Sequence, residues 1–223
     1  MNITCIISNK KYAGKTFLAS HIISSFQLLN MSVCYYKPFI MGVKDSKLYD
    51  IDCIKTRTYL NASDIFVSYA SSGIISPMHS INIQIDERDI TDTIYENSLN
   101  YDNMILESLP LYEPIKANYN FYDMILDIKL ENKLNIIPVI EYDENIIHSI
   151  IEQVELFFNK KLKIPFIVIN VKRNLFISND IIEYIKREIA PIKIYIIEFS
   201  SENNQKIEDI KYSDLIKHLV SLY

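Results

Sequence analysis

The sequence predicts a three-layer α/β fold, a mostly parallel central sheet with helices on both faces. Two observations predict it. Apolar strand-like runs alternate with helix-like segments along the 223 residues, the order that builds a parallel sheet through helical crossovers. The first strand-like run also passes through a loop, Asn9 to Thr16, straight into a helix-like segment, and a helix N-terminus in that position favours an anion. A chain of this length is expected to form one domain over residues 1–223 and to bury a sizeable core.

Taken in order, residues 3–8 form a short apolar run ending in a polar residue, as a buried first strand requires. The loop Asn9-Lys10-Lys11-Tyr12-Ala13-Gly14-Lys15-Thr16 matches the phosphate-loop pattern G-x-x-x-x-G-K-[ST] except that Asn9 stands at the first glycine position. Asn tolerates positive φ better than other non-glycine residues, so the loss of that glycine is softer than most. Residues 9–17, ending at Phe17, are then the nucleotide cradle of a P-loop NTPase-like fold, Lys15 reaching the outer phosphates and Thr16 offering its hydroxyl to Mg²⁺. Apolar residues continue at helical spacing over 15–29. Strand-like runs recur at 32–37, 103–107, 135–140, 165–170 and 193–198, and helix-like segments at 86–97, 121–132, 144–160 and 179–188. The polar stretch 41–80 reads as an irregular excursion. Residues 207–223 read as a closing amphipathic helix with Ile210, Leu215, Leu219 and Leu222 on its apolar side. Right-handed crossovers bring the C-terminal ends of all the strands to one edge, where ligands collect.

Composition narrows the classes. A net charge of −5 without a basic run gives no reason to expect nucleic-acid binding. No apolar run of about 18 residues suggests a membrane span, and the N-terminus lacks signal-peptide features; the expected location is cytoplasmic. Cys5, Cys34 and Cys53 are too few and scattered for a disulfide framework or zinc site. Only Gly14, Gly42 and Gly73 are glycines, where average usage supplies roughly 16. Positions that need positive φ must therefore be filled mostly by other residues.

After the first helix, Val33-Cys34-Tyr35-Tyr36 leads into Lys37-Pro38-Phe39-Ile40-Met41-Gly42. A phosphate loop, a helix and a strand ending K-P-[aliphatic/aromatic]-x-x-G resemble dethiobiotin synthetase, an ATP-dependent carboxylase of biotin biosynthesis. Weaker pieces follow in order over about residues 2–170. Ile51-Asp52-Cys53-Ile54 is similar to a segment whose Asp helps to bind Mg²⁺, and Met104-Ile105-Leu106-Glu107 to a strand whose Glu is the other metal-side carboxylate. His79 and His148 fall in two further similar segments, and Phe166-Ile167-Val168-Ile169-Asn170 is similar to the strand whose Asn reads adenine.

The resemblance implies ring closure of 7,8-diaminononanoate with CO₂, through a carbamate that attacks the γ-phosphate of ATP. Lys15 and Lys37 would be the catalytic cations, Thr16, Asp52 and Glu107 the Mg²⁺ ligands and Asn170 part of the nucleotide site. The assembly would be a homodimer with a small-molecule substrate and no nucleic-acid or membrane partner. Within the polar excursion, Asp45 and Asp50 compete with Asp52 for the metal role. The tyrosines, Tyr35 and Tyr36 among them, are expected to pack the core and a subunit contact.

Departures from the family keep other classes open. Its Glu is followed by a glycine-rich substrate loop, G-A-G-G; here Glu107 is followed by Ser108-Leu109-Pro110-Leu111, and Pro110 lacks an N–H donor. Lys10 lies five residues before Lys15, as in the K-G-G-x-G-K-T loop of partitioning and division-site ATPases, which dimerise on ATP and act as switches on DNA or membrane. A non-catalytic, nucleotide-binding homologue is the remaining alternative.

Overall fold

The computed structural model describes residues 1–43, 48–81, 84–129, 133–171 and 175–197. The expected helix over 207–223 and the end of the expected strand at residue 198 lie outside the described residues. The strands are β1 (Asn2–Ser8), β2 (Val33–Tyr36), β3 (Phe39–Met41), β4 (Ile65–Phe66), β5 (Tyr69–Ser71), β6 (Asn103–Pro110), β7 (Pro114–Lys116), β8 (Tyr119–Asn120), β9 (Lys133–Glu141), β10 (Phe166–Asn170) and β11 (Lys193–Ile197). The helices are α1 (Lys15–Leu28), α2 (Tyr49–Arg57), α3 (Pro77–Ser80), α4 (Glu87–Ser98), α5 (Phe121–Lys129), α6 (Ile146–Asn159) and α7 (Asn179–Glu188).

Seven strands form the central sheet in the order β11-β10-β9-β1-β6-β2-β4, and every pairing in it is parallel. β1 lies inside the sheet between β6 and β9. Strand alternation divides its side chains between two cores. Ile3, Cys5 and Ile7 join Cys34, Tyr36, Met104, Leu106 and Ile136 against Ile90 and Ile94 of α4 and Phe121, Met124, Ile125 and Ile128 of α5. Ile6 joins Tyr35, Ile105, Ile137 and Val168 against Leu18, Ile22 and Phe26 of α1 and Ile51 and Ile54 of α2. Beside the first of these cores, Ile167 and Ile169 of β10 meet Ile146 and Ile150 of α6 and Ile185 of α7. Helices thus cover both faces, as the alternating pattern predicts. Among the described residues no helix is long and apolar enough to cross a membrane.

Two local differences from the expected elements shape the ligand edge. The polar excursion is structured: it carries α2 and α3 together with β3 and β5, which pair in a small parallel sheet of their own. More consequential, β6 does not stop at Glu107 but runs to Pro110, with every residue buried. Its register against β1 moves from Ile6↔Glu107 to Ser8↔Pro110, so β6 carries one residue more than β1 across that interval, a bulge that bends the strand. Pro110 is tolerated because it stands at that bulge, where the ladder is already interrupted.

Candidate functional site

The loop after β1 lies against the N-terminus of α1. Two residues supply its left-handed turns, Tyr12 at φ 61° and Gly14 at φ 98°. Asn9, at the first glycine position of the pattern, does not; the strained position falls three residues later, on Tyr12. Tyr12 can occupy it because its ring points into solvent, 93% exposed, and meets no packing constraint. The loop is braced from within and from below. The Lys10 amide donates to Ser8 Oγ at 3.1 Å, and Asn170 Nδ2, at the end of β10, donates to the Ala13 carbonyl at 3.0 Å. Asn170 is thus brought beneath the loop as a brace, and it does not line the adjacent cavity.

Lys15, the first residue of α1, is 7% exposed and donates to the Lys10 carbonyl at 3.3 Å. Burial lowers its pKa to about 8, the Glu107 carboxylate only partly offsetting that loss of hydration. Lys10 turns away from Lys15 and pairs with Asp143; that hydrogen bond raises the Lys10 pKa and lowers that of Asp143. Lys11 donates to the Ile74 and Ile75 carbonyls at 2.7 and 2.9 Å, tying the loop to the segment before α3.

Around Thr16 of α1, the strands β2 and β6 and the helix α2 deliver a charged cluster. Glu107, 2% exposed, accepts hydrogen bonds from Thr16 Oγ1 at 2.8 Å, Lys37 Nζ at 2.7 Å and Tyr35 Oη at 2.7 Å. Lys37 also pairs with Asp50, and Thr16 Oγ1 lies 3.4 Å from Asp50 Oδ1. Strand alternation explains Tyr35 and Lys37: two residues apart at the end of β2, they project to the same face of the sheet, the face on which Glu107 of the neighbouring β6 also lies. Burial opposes charge on Lys37, but Glu107 and Asp50 outweigh it and hold its pKa above the usual lysine value. Burial, then Glu107, keeps the Tyr35 phenol protonated far into alkali.

Of the aspartates that compete for the acidic role, Asp45 lies outside the described residues, and the other two part by half a turn of α2. Asp52 is exposed, while Asp50 reaches the cluster; two helix residues apart means about 200° of rotation, so only one of the pair faces the site. His148 is exposed on α6. His79 shares a hydrogen bond with Ser76 Oγ at 2.7 Å, beside a different surface depression. Neither lines the cavity at the phosphate loop.

That cavity, about 440 Å³, is bounded by Gly14, Lys15 and Thr16 on one side and by Lys37, Asp50 and Glu107 on the other. Residues that sequence reasoning missed complete it: Phe39 and Met41 from β3, Cys53 and Arg57 from α2, and Leu109 from β6. Arg57 stacks its guanidinium over Phe17, 4.5 Å from the ring centroid. Ser108 of β6 lines the cavity as well, and its Oγ is buried with no hydrogen-bond partner among the described residues.

The donor set fits a Mg²⁺-phosphate ligand. Among the described residues no three His, Cys, Asp or Glu side chains gather as a metal cage. Mg²⁺ does not need one: it takes one or two carboxylates, keeps waters and shares phosphate oxygens. Thr16 Oγ1, Asp50 and Glu107 supply hard oxygen atoms beside the helix N-terminus that would hold the phosphates.

A phosphate loop at the carboxyl edge of a parallel sheet, a buried lysine inside it and an oxygen-rich cluster beside it define a nucleotide-binding P-loop protein. A family model described as an AAA domain matches residues 4–209, and the chain belongs to that family. No curated protein matches it in sequence. A plasmid partition protein from Borrelia burgdorferi bound to AMPPNP is similar in structure, with a TM-score of 0.59 at 12% identity, over 100% of this chain and 99% of that one. A ParA family ATPase from Chlorobium tepidum gives 0.54 at 14%, over 97% and 90% of the two chains. The septum site-determining protein MinD from Pyrococcus horikoshii, complexed with Mg-ADP, gives 0.53 at 12%, over 97% and 86%. At these identities the likeness is one of fold.

Proposed function

We propose that this chain is an ATP- and Mg²⁺-dependent P-loop ATPase working as a nucleotide-controlled switch of the partitioning and division kind. The observation that carries the reading is the course of β6. Where a cyclo-ligase of the dethiobiotin type needs an open glycine cradle, this chain continues a buried strand through Ser108 and Leu109 to Pro110. Bulky side chains stand there where glycines would leave the backbone open, and Pro110 has no N–H to offer. The phosphate half of the site has no such obstruction.

In this reading Lys15 neutralises the outer phosphates and the N-terminal amides of α1 cradle them. Thr16, Asp50 and Glu107 would hold Mg²⁺, which when bound supplies charge neutralisation at the phosphates. Tyr35 orients Glu107 through a hydrogen bond to its second oxygen. Lys10, exposed at the loop and paired only at the surface with Asp143, remains reachable for a partner, and the expected assembly is a homodimer.

A second reading, dethiobiotin synthesis, is favoured by one observation: Lys15 and Lys37 line the same cavity, as that chemistry requires. The two separate cleanly by experiment. ATP turnover is measured with diaminononanoate plus bicarbonate, and separately with DNA or lipid vesicles, while light scattering follows oligomeric state with ATP or ADP. Turnover stimulated by DNA or lipid, with ATP-dependent dimerisation, is expected. Turnover that depends on the diamine, with formation of the cyclic urea, would overturn the switch reading in favour of the ligase.

A further inference from the structure

Lys37 occupies the place of a bound cation. Its ammonium donates to Glu107 Oε1 at 2.7 Å and pairs with Asp50 Oδ2. Thr16 Oγ1 donates to that same Glu107 oxygen at 2.8 Å and lies 3.4 Å from the other oxygen of Asp50. The two carboxylates whose chemistry fits Mg²⁺ therefore meet one positive charge that the chain itself carries, and the third oxygen of that set, Thr16 Oγ1, sits against both of them. The arrangement is not a solvated surface pair: Lys37 is 8% and Glu107 2% exposed, where like charges repel strongly and a lost partner is costly.

We infer that Lys37 is a tethered counter-cation that holds the metal position in the nucleotide-free chain and yields it to a divalent ion, its ammonium moving into the cavity it shares with Lys15. The inference rests on the reading of this site as a Mg²⁺-phosphate site and names a role within it. Charge balance explains the coupling. Asp50 and Glu107 carry two negative charges, and the ammonium that touches both is that of Lys37, with Lys15 acting on them only through its charge. A divalent ion neutralises both carboxylates, and the displaced ammonium then needs an anion of its own, which a nucleotide phosphate supplies. A divalent ion without nucleotide supplies only the first half of that exchange. The nucleotide-free chain accordingly binds divalent ions weakly, and Mg²⁺ and nucleotide bind cooperatively. Lys37 acts here as a positioning residue, through the carboxylates it holds.

The test uses the full chain without nucleotide and Mn²⁺ as the probe, with free Mn²⁺ read by electron paramagnetic resonance. Lys37→Met and Lys37→Gln remove the charge and keep much of the stem, and they are expected to tighten Mn²⁺ binding on the order of tenfold or more, as loss of one close like charge requires. Glu107→Gln is expected to weaken it. Mn²⁺ is also expected to raise the melting temperature of either Lys37 variant more than that of the wild type. Should a Lys37 variant be unfolded without metal, Mn²⁺ restores its folding, and failure to do so overturns the proposal. Unchanged or weaker Mn²⁺ binding in folded Lys37 variants, with Glu107→Gln still impaired, overturns the exchange but leaves the metal site standing. No Mn²⁺ binding in any variant overturns both.

Discussion

Tyr12 holds φ 61° with its ring almost wholly in solvent. A left-handed conformation costs an L-residue roughly 1–2 kcal/mol, and here no burial is lost when the side chain goes. Tyr12→Gly is therefore expected to stabilise the chain by about 0.5–1 kcal/mol, after the extra unfolded-state entropy of glycine is deducted; urea unfolding reads the change, and a loss of stability would contradict the strain argument. The opposite sign is expected at Tyr35. Its hydroxyl donates to the buried Glu107, so Tyr35→Phe leaves a carboxylate oxygen short of a donor and is expected to cost about 1–3 kcal/mol, with Mn²⁺ affinity altered as well. The same residues show where reading the sequence stopped short. Gly14, Lys15 and Thr16 declared the loop, yet nothing local distinguished Tyr12 from Asn9 as the strained residue. Strand alternation could have paired Tyr35 with Lys37, but finding Glu107 opposite them needed the β2–β6 register, which is a tertiary fact. Asp50 and Asp52 were inseparable until the phase of α2 was fixed.

Elements join through a few tight points, and these set further expectations. β5 and α3 meet at Gly73, where an added Cβ would lie 2.4 Å from Ser80 Oγ and 2.5 Å from Ser80 Cβ. Moving Ser80 means moving the end of α3, which is held by the hydrogen bond from Ser71 Oγ to the Ser80 carbonyl. Gly73→Ala is expected to cost about 1–3 kcal/mol, the range for overpacking, with partial recovery in Gly73→Ala/Ser80→Gly; equal stability of wild type and Gly73→Ala in thermal melts would count against it. β5 also meets the start of α4 through Tyr69, whose hydroxyl bonds Asp89 and accepts from the Asp86 amide at 3.0 Å. Burial, then the Asp89 carboxylate, pushes the Tyr69 phenol up to about 12. The unfolded phenol ionises near 10, so between those pH values the native state holds the proton that the unfolded state has lost. This contribution to stability is complete below about pH 10 and disappears as the pH climbs toward 12. Denaturant midpoints of Tyr69→Phe are expected to fall less between pH 9 and 11 than those of the wild type. Within the polar excursion that houses β5, low hydrophobicity concealed the short elements, whereas the long apolar strands β1, β9 and β10 were plain from periodicity.

For the whole molecule, nucleotide binding and stability are one equilibrium seen from two sides. A ligand at about 100 times its dissociation constant stabilises the native state by about 2.7 kcal/mol. ATP with Mg²⁺ is expected to raise the melting temperature of the wild type and to leave Lys15→Ala unmoved; an equal rise in both would remove Lys15 from the binding site. The sheet order, with β1 hydrogen-bonded to β6 and β9, gives this linkage an uneven distribution. A strand clasped on both sides opens only when the sheet itself comes apart, so deuterium enters its amides last whether or not a ligand is present. Occupancy of the phosphate loop will register instead in α2 and in the backbone around Ile74 and Ile75, which touch the loop without belonging to the sheet. In this chain, the rim reports on the ligand while the strand that carries the loop stays silent.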